Sequence, residues 1–524
     1  MLNTISPAVE EAAQRVDTQI LQYLDLIQDL KSQRNALMPI SQLPVEILGK
    51  IFHEVRGHLR NGQDDDTRFW TISSYSEPSL KWVSVSHISR HWRKVAIDDA
   101  SLWTNPPLKN LQWTMIMLER SRVATIPAIT LKVDELDQRV VTAIMPHIPR
   151  MSSLVIPNMG REMLKQVLFG LPSTAPTLRT LSISCLKKVI DSFRGQTWCY
   201  AVGSSSYAKA VAFPDNVLCH TPKLQHLELN DIVIRPNSPL LSRLTTLSMS
   251  GIPEKSKPTP QQLKTMLKSA PYLKRLVLRG VCPSAGSNQQ KEWTAPVLMQ
   301  HLEDIDINDA IPQLICFFGL LSATHVLKRI NIDLTYEEGS ASDLPLLFAA
   351  LDQPYLRFLI GSSTDVRRLE VANDDAGLII RALKISTSER RMEPNKREGY
   401  HWDHRRDCQS MTISIETPDL EDEDANNWTD TLLPILFNNM TWTGLSELDL
   451  ASLFYASPQV LALTFGTVPH LRIIVADSYI APWLGMRTVA VCTGIRPPVT
   501  GTRNRTVNCL EQTPTVWVQF GFEP

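Results

Sequence analysis

Two histidines with a carboxylate between them are the nearest approach in this chain to a metal-binding or reactive site. His401-Trp402-Asp403-His404 would place both imidazoles on one turn of a helix, where they could bind a zinc ion. Asp407 and Cys408 are the nearby candidates for a third ligand. Because no further motif supports this group, we expect no metal site and no cofactor.

Motifs with a known catalytic mechanism are absent from the sequence. It contains no G-x-S-x-G, no P-loop and no G-x-G-x-x-G. Catalysis needs a nucleophile with a positioned base, or clustered ligands, and neither is indicated. The sequence therefore predicts no catalytic residue, and a protein that acts by binding and is not an enzyme.

Length and composition limit the class of protein. A chain of 524 residues is too long for one ordinary core and indicates several units or one elongated solenoid. Its net charge of -1 argues against nucleic-acid or membrane binding driven by charge. The eight scattered cysteines favour reduced thiols, and the N-terminus does not resemble a signal peptide. We expect a soluble protein of the cytoplasm or nucleus, with the apolar segment 311–327 buried and not spanning a membrane.

Two helical segments and a polar loop occupy residues 40–105. Pro44 suits the first turn of a helix, because its missing N–H costs nothing there. Residues 53–80 are rich in turn formers and predict a loop. Helical spacing resumes over 82–97. The apolar positions on the two segments are Leu43, Ile47, Leu48, Ile51 and Phe52, and then Val85, Ile88, Trp92 and Ala96.

These residues resemble an F-box. Its hallmarks are a Leu-Pro-x-Glu-Ile-Leu opening, a Val-Ser helix that ends in Trp-Arg, and a terminal Leu-Trp. The chain has 43–48 as the opening, Val85-Ser86 with Trp92-Arg93, and Leu102-Trp103. The resemblance implies that a helical face docks on a Skp-type adaptor, which links to a cullin–RING ubiquitin ligase. The implied adaptor-binding residues are Leu43, Pro44, Ile47, Leu48, Ile51, Phe52, Val85, Ile88, Trp92 and Trp103, of which Ile51 and Trp92 are also candidates for a purely structural role.

A repeat of the form L-x-x-L-x-L follows from about residue 125 to 484. Successive copies start at Leu224, Leu244, Leu273, Leu302 and Leu327, at spacings typical of leucine-rich repeats. Further copies start at Met151, Leu178, Val366, Met411, Leu445 and Leu471. The fold predicted is therefore α/β: an N-terminal helical F-box module, then an irregular leucine-rich-repeat solenoid with parallel strands on the concave face and helices outside.

The residues between the repeat leucines are expected to face outward and to contact a target protein. They are Gln225, His226, Glu228, Thr245, Ser248, Lys274, Arg275 and Val277. Their identity does not name the target. The charged segment 384–424 fits either a docking insertion or a solvated loop, and we favour the loop. Residues 485–524 lose the repeat pattern and are left unassigned.

Residues 8–38 predict one amphipathic helix ahead of the F-box-like segment, as in many fungal F-box proteins. Val9, Val16, Ile20, Ile27 and Leu30 recur at helical spacing. Two interpretations stay open. The helix could form a short coiled coil for dimerisation, or it could fold back on the module that follows.

Together with the repeats, the resemblance to an F-box implies a substrate-recognition subunit of an SCF-type ubiquitin ligase. The alternative is a leucine-rich-repeat scaffold without a ligase link, in which the Leu43-Pro44 helix only caps the solenoid.

Overall fold

The computed structural model describes the chain in segments, which form two compact units. The first unit contains Met1–Leu181 and His220–Lys223, and the second contains Ser182–Cys219 and Leu224–Pro524. The residues described are 7–58, 79–131, 138–185, 210–283, 296–323, 327–335, 344–351, 368–374, 377–384, 409–416, 429–435, 437, 445–450, 453, 456–465, 471, 473–477 and 515–519.

Helices dominate the described part of the first unit. The α-helices are α1 (Pro7–Ala36), α2 (Val45–His58), α3 (Arg90–Asp98), α4 (Leu111–Arg120), α5 (Gln138–Ile144) and α6 (Arg161–Gly170). Short 3-10 helices lie at Pro39–Gln42, Lys81–His87, Ala100–Trp103 and Met145–Arg150. The strands are β1 (Ile129–Thr130), β2 (Ser153–Met159) and β3 (Thr180–Cys185), and the boundary between the units falls inside β3.

The helix predicted over 82–97 is divided in the structure. A 3-10 helix over Lys81–His87 precedes α3, and Ser89 between them is extended, with φ -155° and ψ 163°. The Trp92 backbone N–H donates to the Ser89 side-chain oxygen at 3.2 Å, which starts a new helix at this point. The predicted loop over 53–80 also begins later, since α2 continues to His58, and 59–78 lie outside the described residues.

A large, mostly parallel sheet is the main feature of the second unit. The remaining strands are β4 (Val211–Ala212), β5 (His226–Asn230), β6 (Ile232–Val233), β7 (Thr246–Ser250), β8 (Arg275–Arg279), β9 (Val297–Met299), β10 (Asp304–Ala310), β11 (Leu321–Ala323), β12 (Arg329–Thr335), β13 (Arg368–Asp374), β14 (Gly377–Lys384), β15 (Gln409–Glu416), β16 (Glu447–Leu450), β17 (Ile473–Asp477) and β18 (Thr515–Gln519). Strands β5, β7, β8, β10 and β12 follow one another in the sheet in chain order, and all are parallel.

Each of these five strands starts two residues after the first leucine of its repeat. One backbone carbonyl between successive strands accepts two N–H groups. The N–H groups of Thr245 and Thr246 donate to the Gln225 carbonyl at 2.8 and 2.9 Å. The same pattern recurs at the carbonyls of Thr245, Lys274 and Glu303. The repeat in sequence is thus a repeat in backbone geometry, although its loops differ in length.

The regular order breaks after β12. Its next neighbour in the sheet is β15, followed by β14, β13 and β16. Strand β14 runs antiparallel to β13 and to β15. Strand β14 was not predicted from the sequence, although Leu378 and Ile380 alternate on its buried face. Residues 401–404, with the two histidines, lie outside the described residues, as does most of the charged segment 384–424.

Helices connect several of the parallel strands in the second unit. They are α7 (Pro260–Ser269), α8 (Ile311–Leu320), α9 (Leu344–Leu351) and α10 (Pro458–Phe465). Thr259 and Gln262 form a reciprocal capping box at the start of α7. The apolar segment at 311–327 contains α8, whose Phe317 and Phe318 are fully buried. Within the described ranges, no helix combines the length and the apolar character needed to cross a membrane.

Candidate functional site

Helix α2 carries an apolar arc wider than the domain's core uses. With 3.6 residues per turn, Ile47, Ile51, Leu48 and Phe52 span an arc of about 140°. Leu48 and Phe52, at one edge, are fully buried. Ile51, in the middle, is partly buried against the core. Ile47, at the other edge, is 40% exposed. The helix therefore packs inward along one edge of its arc and leaves the other edge in solvent.

Aromatic side chains build the core on which α2 packs. The ring of Phe52 lies 5.2 Å from that of Trp92, and Trp82 meets Trp103 edge-on at 5.0 Å. The indole N–H of Trp103 donates to the Ala96 carbonyl at 2.7 Å, so its one polar atom is satisfied. The Arg120 guanidinium lies 4.4 Å from the centre of the Trp103 ring, where a cation is favoured.

The ten predicted adaptor-binding residues fall into three groups according to their burial. Five side chains are buried: Leu48, Phe52, Val85, Trp92 and Trp103. Two are partly buried against the same core, namely Leu43 and Ile51. Three are exposed, namely Pro44, Ile47 and Ile88. A partner could not reach the five buried side chains without rearranging the domain, so their place in the monomer is to hold the exposed ones in position.

Three further exposed apolar residues lie beside this helix and were not predicted as adaptor-binding residues. Met38 and Ile40 flank the start of the 3-10 helix Pro39–Gln42 and are 48% and 46% exposed, and Val45 begins α2. The sequence could have indicated these three residues, because each is apolar and none belongs to the apolar arc of α2 that packs on the core. They extend the exposed apolar surface around Pro44 and Ile47.

One serine, one histidine and one aspartate meet in the same domain. The His53 Nε2 atom lies 3.1 Å from an oxygen of Asp99 and 2.9 Å from the Ser101 Oγ. A catalytic relay needs the two imidazole nitrogens to face different partners, whereas here one nitrogen faces both. Asp99 also accepts from the Ser101 backbone N–H at 3.0 Å. The arrangement is that of a capped 3-10 turn tied to α2.

Of the predicted target-binding residues, His226, Glu228, Ser248 and Arg275 lie on the polar face of their strands, whereas Gln225, Thr245 and Lys274 each immediately precede a strand. Gln225, His226, Glu228, Lys274 and Arg275 are exposed, and Thr245 and Ser248 are half-buried. Val277, predicted to face outward, is buried. Arg279, two residues further along the same face, reaches Asp306 at 3.2 Å, and Asp306 is the register partner of Val277. This ion pair lies beside the short Val277 side chain.

Charges on this face pair with one another between strands. Arg329 binds Asp304 at 2.7 Å, and Lys328 binds Glu303 at 2.7 Å. Burial raises the pKa of the Asp333 carboxyl, and the nearby Asp306 charge adds to this. Partial desolvation lowers the pKa of the His226 imidazole, which favours its neutral form. The described part of this face therefore carries hydrogen-bonding groups and charged side chains of both signs, and neither sign of charge dominates.

Among the described residues, no group of three or more histidine, cysteine, aspartate or glutamate side chains is placed to hold a metal ion.

Comparison with known families identifies the helical domain. Residues 40–108 match the family model described as F-box-like. These residues form an F-box-like domain. The match covers the apolar arc of α2, the aromatic core and Leu102-Trp103, and it leaves the second unit unassigned.

Other comparisons add little. No curated protein matches the chain. One similar solved structure is the yeast complex of Rad7 and Elc1, with 11% identity, a TM-score of 0.24, and coverage of 92% of this chain and 91% of that chain. A similarity at that TM-score carries no argument about fold or function.

Proposed function

We propose that this chain is the substrate-recognition subunit of an SCF-type cullin–RING ubiquitin ligase. The F-box-like domain would dock on a Skp-type adaptor, and the second unit would bind the target protein. The match of residues 40–108 to the F-box-like family carries the proposal. The exposed edge of the α2 arc supports it, because a small domain that shows more apolar surface than its own core uses is suited to a partner.

The adaptor-binding surface is proposed around Pro44 and Ile47. The Ile47 N–H donates to the Pro44 carbonyl at 3.0 Å, so Pro44, which immediately precedes α2, is tied to Ile47 in the first turn of the helix. Ile88 follows the 3-10 helix Lys81–His87 and is 57% exposed. Burying one such side chain contributes about 1.5–3 kcal/mol, which is enough for each to influence affinity measurably.

The second unit is proposed to be an irregular leucine-rich-repeat solenoid. The parallel strands β5, β7, β8, β10 and β12, which recur with the leucine template and share one backbone pattern, support this. The exposed residues of its polar face and of the positions that immediately precede the strands, namely Gln225, His226, Glu228, Lys274 and Arg275, are the proposed target contacts. Specificity would come from hydrogen bonds and from complementary charge.

The proposal includes no catalytic step and no cofactor. The chain would act by bringing a target near the ligase, in the cytoplasm or nucleus. The rival function is a leucine-rich-repeat scaffold with no ligase link, and adaptor binding separates the two.

The test is capture of a purified Skp-type adaptor by the full chain and by variants. Ile47→Asp places a charge in the proposed interface and is expected to weaken binding at least about ten-fold. Met115→Asp is the matched control, because Met115 is 55% exposed on α4, outside the F-box-like residues. It should bind like the parent chain.

Pro44→Ala is a second, milder variant that leaves the core untouched and should weaken binding less. If the parent chain captures no adaptor, or if Ile47→Asp binds as tightly as Met115→Asp, the ligase proposal fails and the scaffold is favoured.

A further inference from the structure

Helix α1 presents an apolar stripe to solvent along its whole length. Its residues follow the heptad pattern in which positions a and d are apolar, with Arg34 as the one charged exception among the positions named below. Position a is taken by Ala13, Ile20, Ile27 and Arg34, and position d by Val9, Val16, Tyr23 and Leu30. The large apolar members are 45–66% exposed. A stripe of this kind on an isolated helix exposes surface that would be more stable against a second helix.

The helix touches the F-box-like domain through its other side. Arg90 donates to Asp29 at 2.7 Å and to Gln28 at 2.8 Å. Gln28 and Asp29 occupy the heptad positions b and c, which face away from the a and d seam. The contact that ties α1 to the domain therefore leaves the stripe uncovered, which argues against the stripe being the surface that folds back on the domain.

We propose that α1 of one chain pairs with α1 of a second copy as an antiparallel coiled coil. The sequence of the stripe supports a second copy of α1 as its partner. In the antiparallel register that packs Ile20 against Tyr23 of the second copy, Ile27 packs against Val16 and Ala13 against Leu30. All these residues lie within Pro7–Ala36, so the complete seam is helical.

Charge favours the same register. It places Glu10 of each chain opposite Lys31 of the second copy, at flanking e positions, and the symmetry of the pair makes this contact twice. Arg34 enters the seam beside Val9 of the second copy, next to the acidic Glu10 and Glu11. A parallel pair would instead stack Arg34 on Arg34 in one layer, where like charges repel.

The length of the helix is sufficient for association. Thirty residues of α-helix span about 45 Å and carry about four heptads, the length at which a heptad pattern predicts a coiled coil. Antiparallel pairing attaches the two F-box-like domains at opposite ends of the seam. The proposal does not depend on adaptor binding, and it holds for a scaffold as well as for a ligase subunit.

The first test is the mass of the full chain by light scattering after gel filtration at micromolar concentration. The expected mass is that of two chains. Ile27→Asp should give a monomer, because it places a carboxylate in the seam twice. Leu21→Asp is the matched control, since Leu21 is 63% exposed on the same helix but lies at position b. It should remain dimeric.

The second test separates the two orientations by charge exchange at low salt. Glu10→Lys and Lys31→Glu are each expected to raise the dissociation constant about five-fold, because each creates two like-charge contacts. The double variant should return it to within about two-fold of the parent. In a parallel pair these positions lie about 30 Å apart, and the double variant could not restore affinity.

A monomeric parent chain, or a dimer that survives Ile27→Asp, would overturn the proposal. Failure of the double variant to restore affinity would overturn the antiparallel arrangement.

Discussion

Trp103 makes several kinds of stabilising contact in the F-box-like core. It is fully buried, donates to Ala96, meets Trp82 and lies under Arg120. We expect Trp103→Ala to lower the free energy of unfolding by about 3–5 kcal/mol, because it leaves a large cavity. Trp103→Phe keeps the ring packing, loses the hydrogen bond and should cost less. Urea unfolding followed by circular dichroism measures both.

The exposed Ile88 provides the control for this measurement. Ile88→Ala should change the free energy of unfolding by less than about 0.5 kcal/mol. Equal losses for Trp103→Ala and Ile88→Ala would contradict the burial of Trp103.

Asp333 carries a pH dependence with a definite sign. Burial, with the Asp306 charge, raises its folded-state pKa above the usual 3.8. At pH values above the raised pKa, the ionised Asp333 carboxylate therefore lowers the free energy of unfolding. This loss disappears at low pH, where the carboxyl is protonated in both the folded and the unfolded state. Asp333→Asn should raise the urea midpoint at neutral pH. The gain should shrink as the pH falls through the raised pKa and vanish below the usual value.

Asp304→Asn is the control, because Asp304 binds Arg329 at 2.7 Å. Its removal should bring no gain at neutral pH. A gain for Asp333→Asn that is independent of pH would refute a raised pKa.

At the scale of elements, Ser89 decides where one helix ends and the next begins. Its side chain caps α3, and its extended backbone separates α3 from the 3-10 helix before it. Ser89→Ala should destabilise the chain by about 1 kcal/mol, while Ser89→Asp should retain the cap. Ser84→Ala, at an exposed serine within the 3-10 helix, should be neutral. Urea unfolding of the three variants tests this; equal stability of Ser89→Ala and Ser84→Ala would argue against the cap.

Ser89 also shows why the presence of a helix was easier to predict from the sequence than the residues at which it begins and ends. Apolar spacing runs through Val85, Ile88 and Trp92 without a break, so periodicity alone joins the two segments. The strands were easier to place, since β5, β7, β8, β10 and β12 each begin two residues after the first leucine of the template. Strand β14 was missed because pairing with β13 and β15 depends on sheet order, which local alternation at Leu378 and Ile380 does not specify.

The proposed adaptor-binding surface was predictable as a segment but not as a set of side chains. The motif at Leu43-Pro44 located α2, yet helical spacing puts Ile47 and Leu48 in one apolar arc. Packing then buries Leu48 and exposes Ile47, and only the tertiary structure distinguishes the two. The same applies to Val277, which is buried and lies beside the ion pair between Arg279 and Asp306.

At the scale of the whole molecule, adaptor binding and target binding should be separable. The proposed surfaces lie in different units, around Ile47 and around Lys274 and Arg275. The double variant Lys274→Glu with Arg275→Glu should lose target proteins and keep the adaptor. Ile47→Asp should do the reverse. Affinity purification with mass spectrometry reads both outcomes; joint loss of adaptor and targets in either variant would contradict separate surfaces.

The shared carbonyl pattern between β5 and β12 has a practical consequence. Strand spacing there is set by main-chain oxygens of Gln225, Thr245 and Lys274, each accepting two N–H groups from the next strand. The main-chain carbonyl is present whatever side chain a residue carries, but Thr245 and Lys274 also donate their backbone N–H groups, which proline lacks. A combinatorial library randomised at these three positions, with proline excluded, is therefore expected to change the proposed target-binding surface while keeping the strand registration, so that the chain could be directed to new targets with its fold retained.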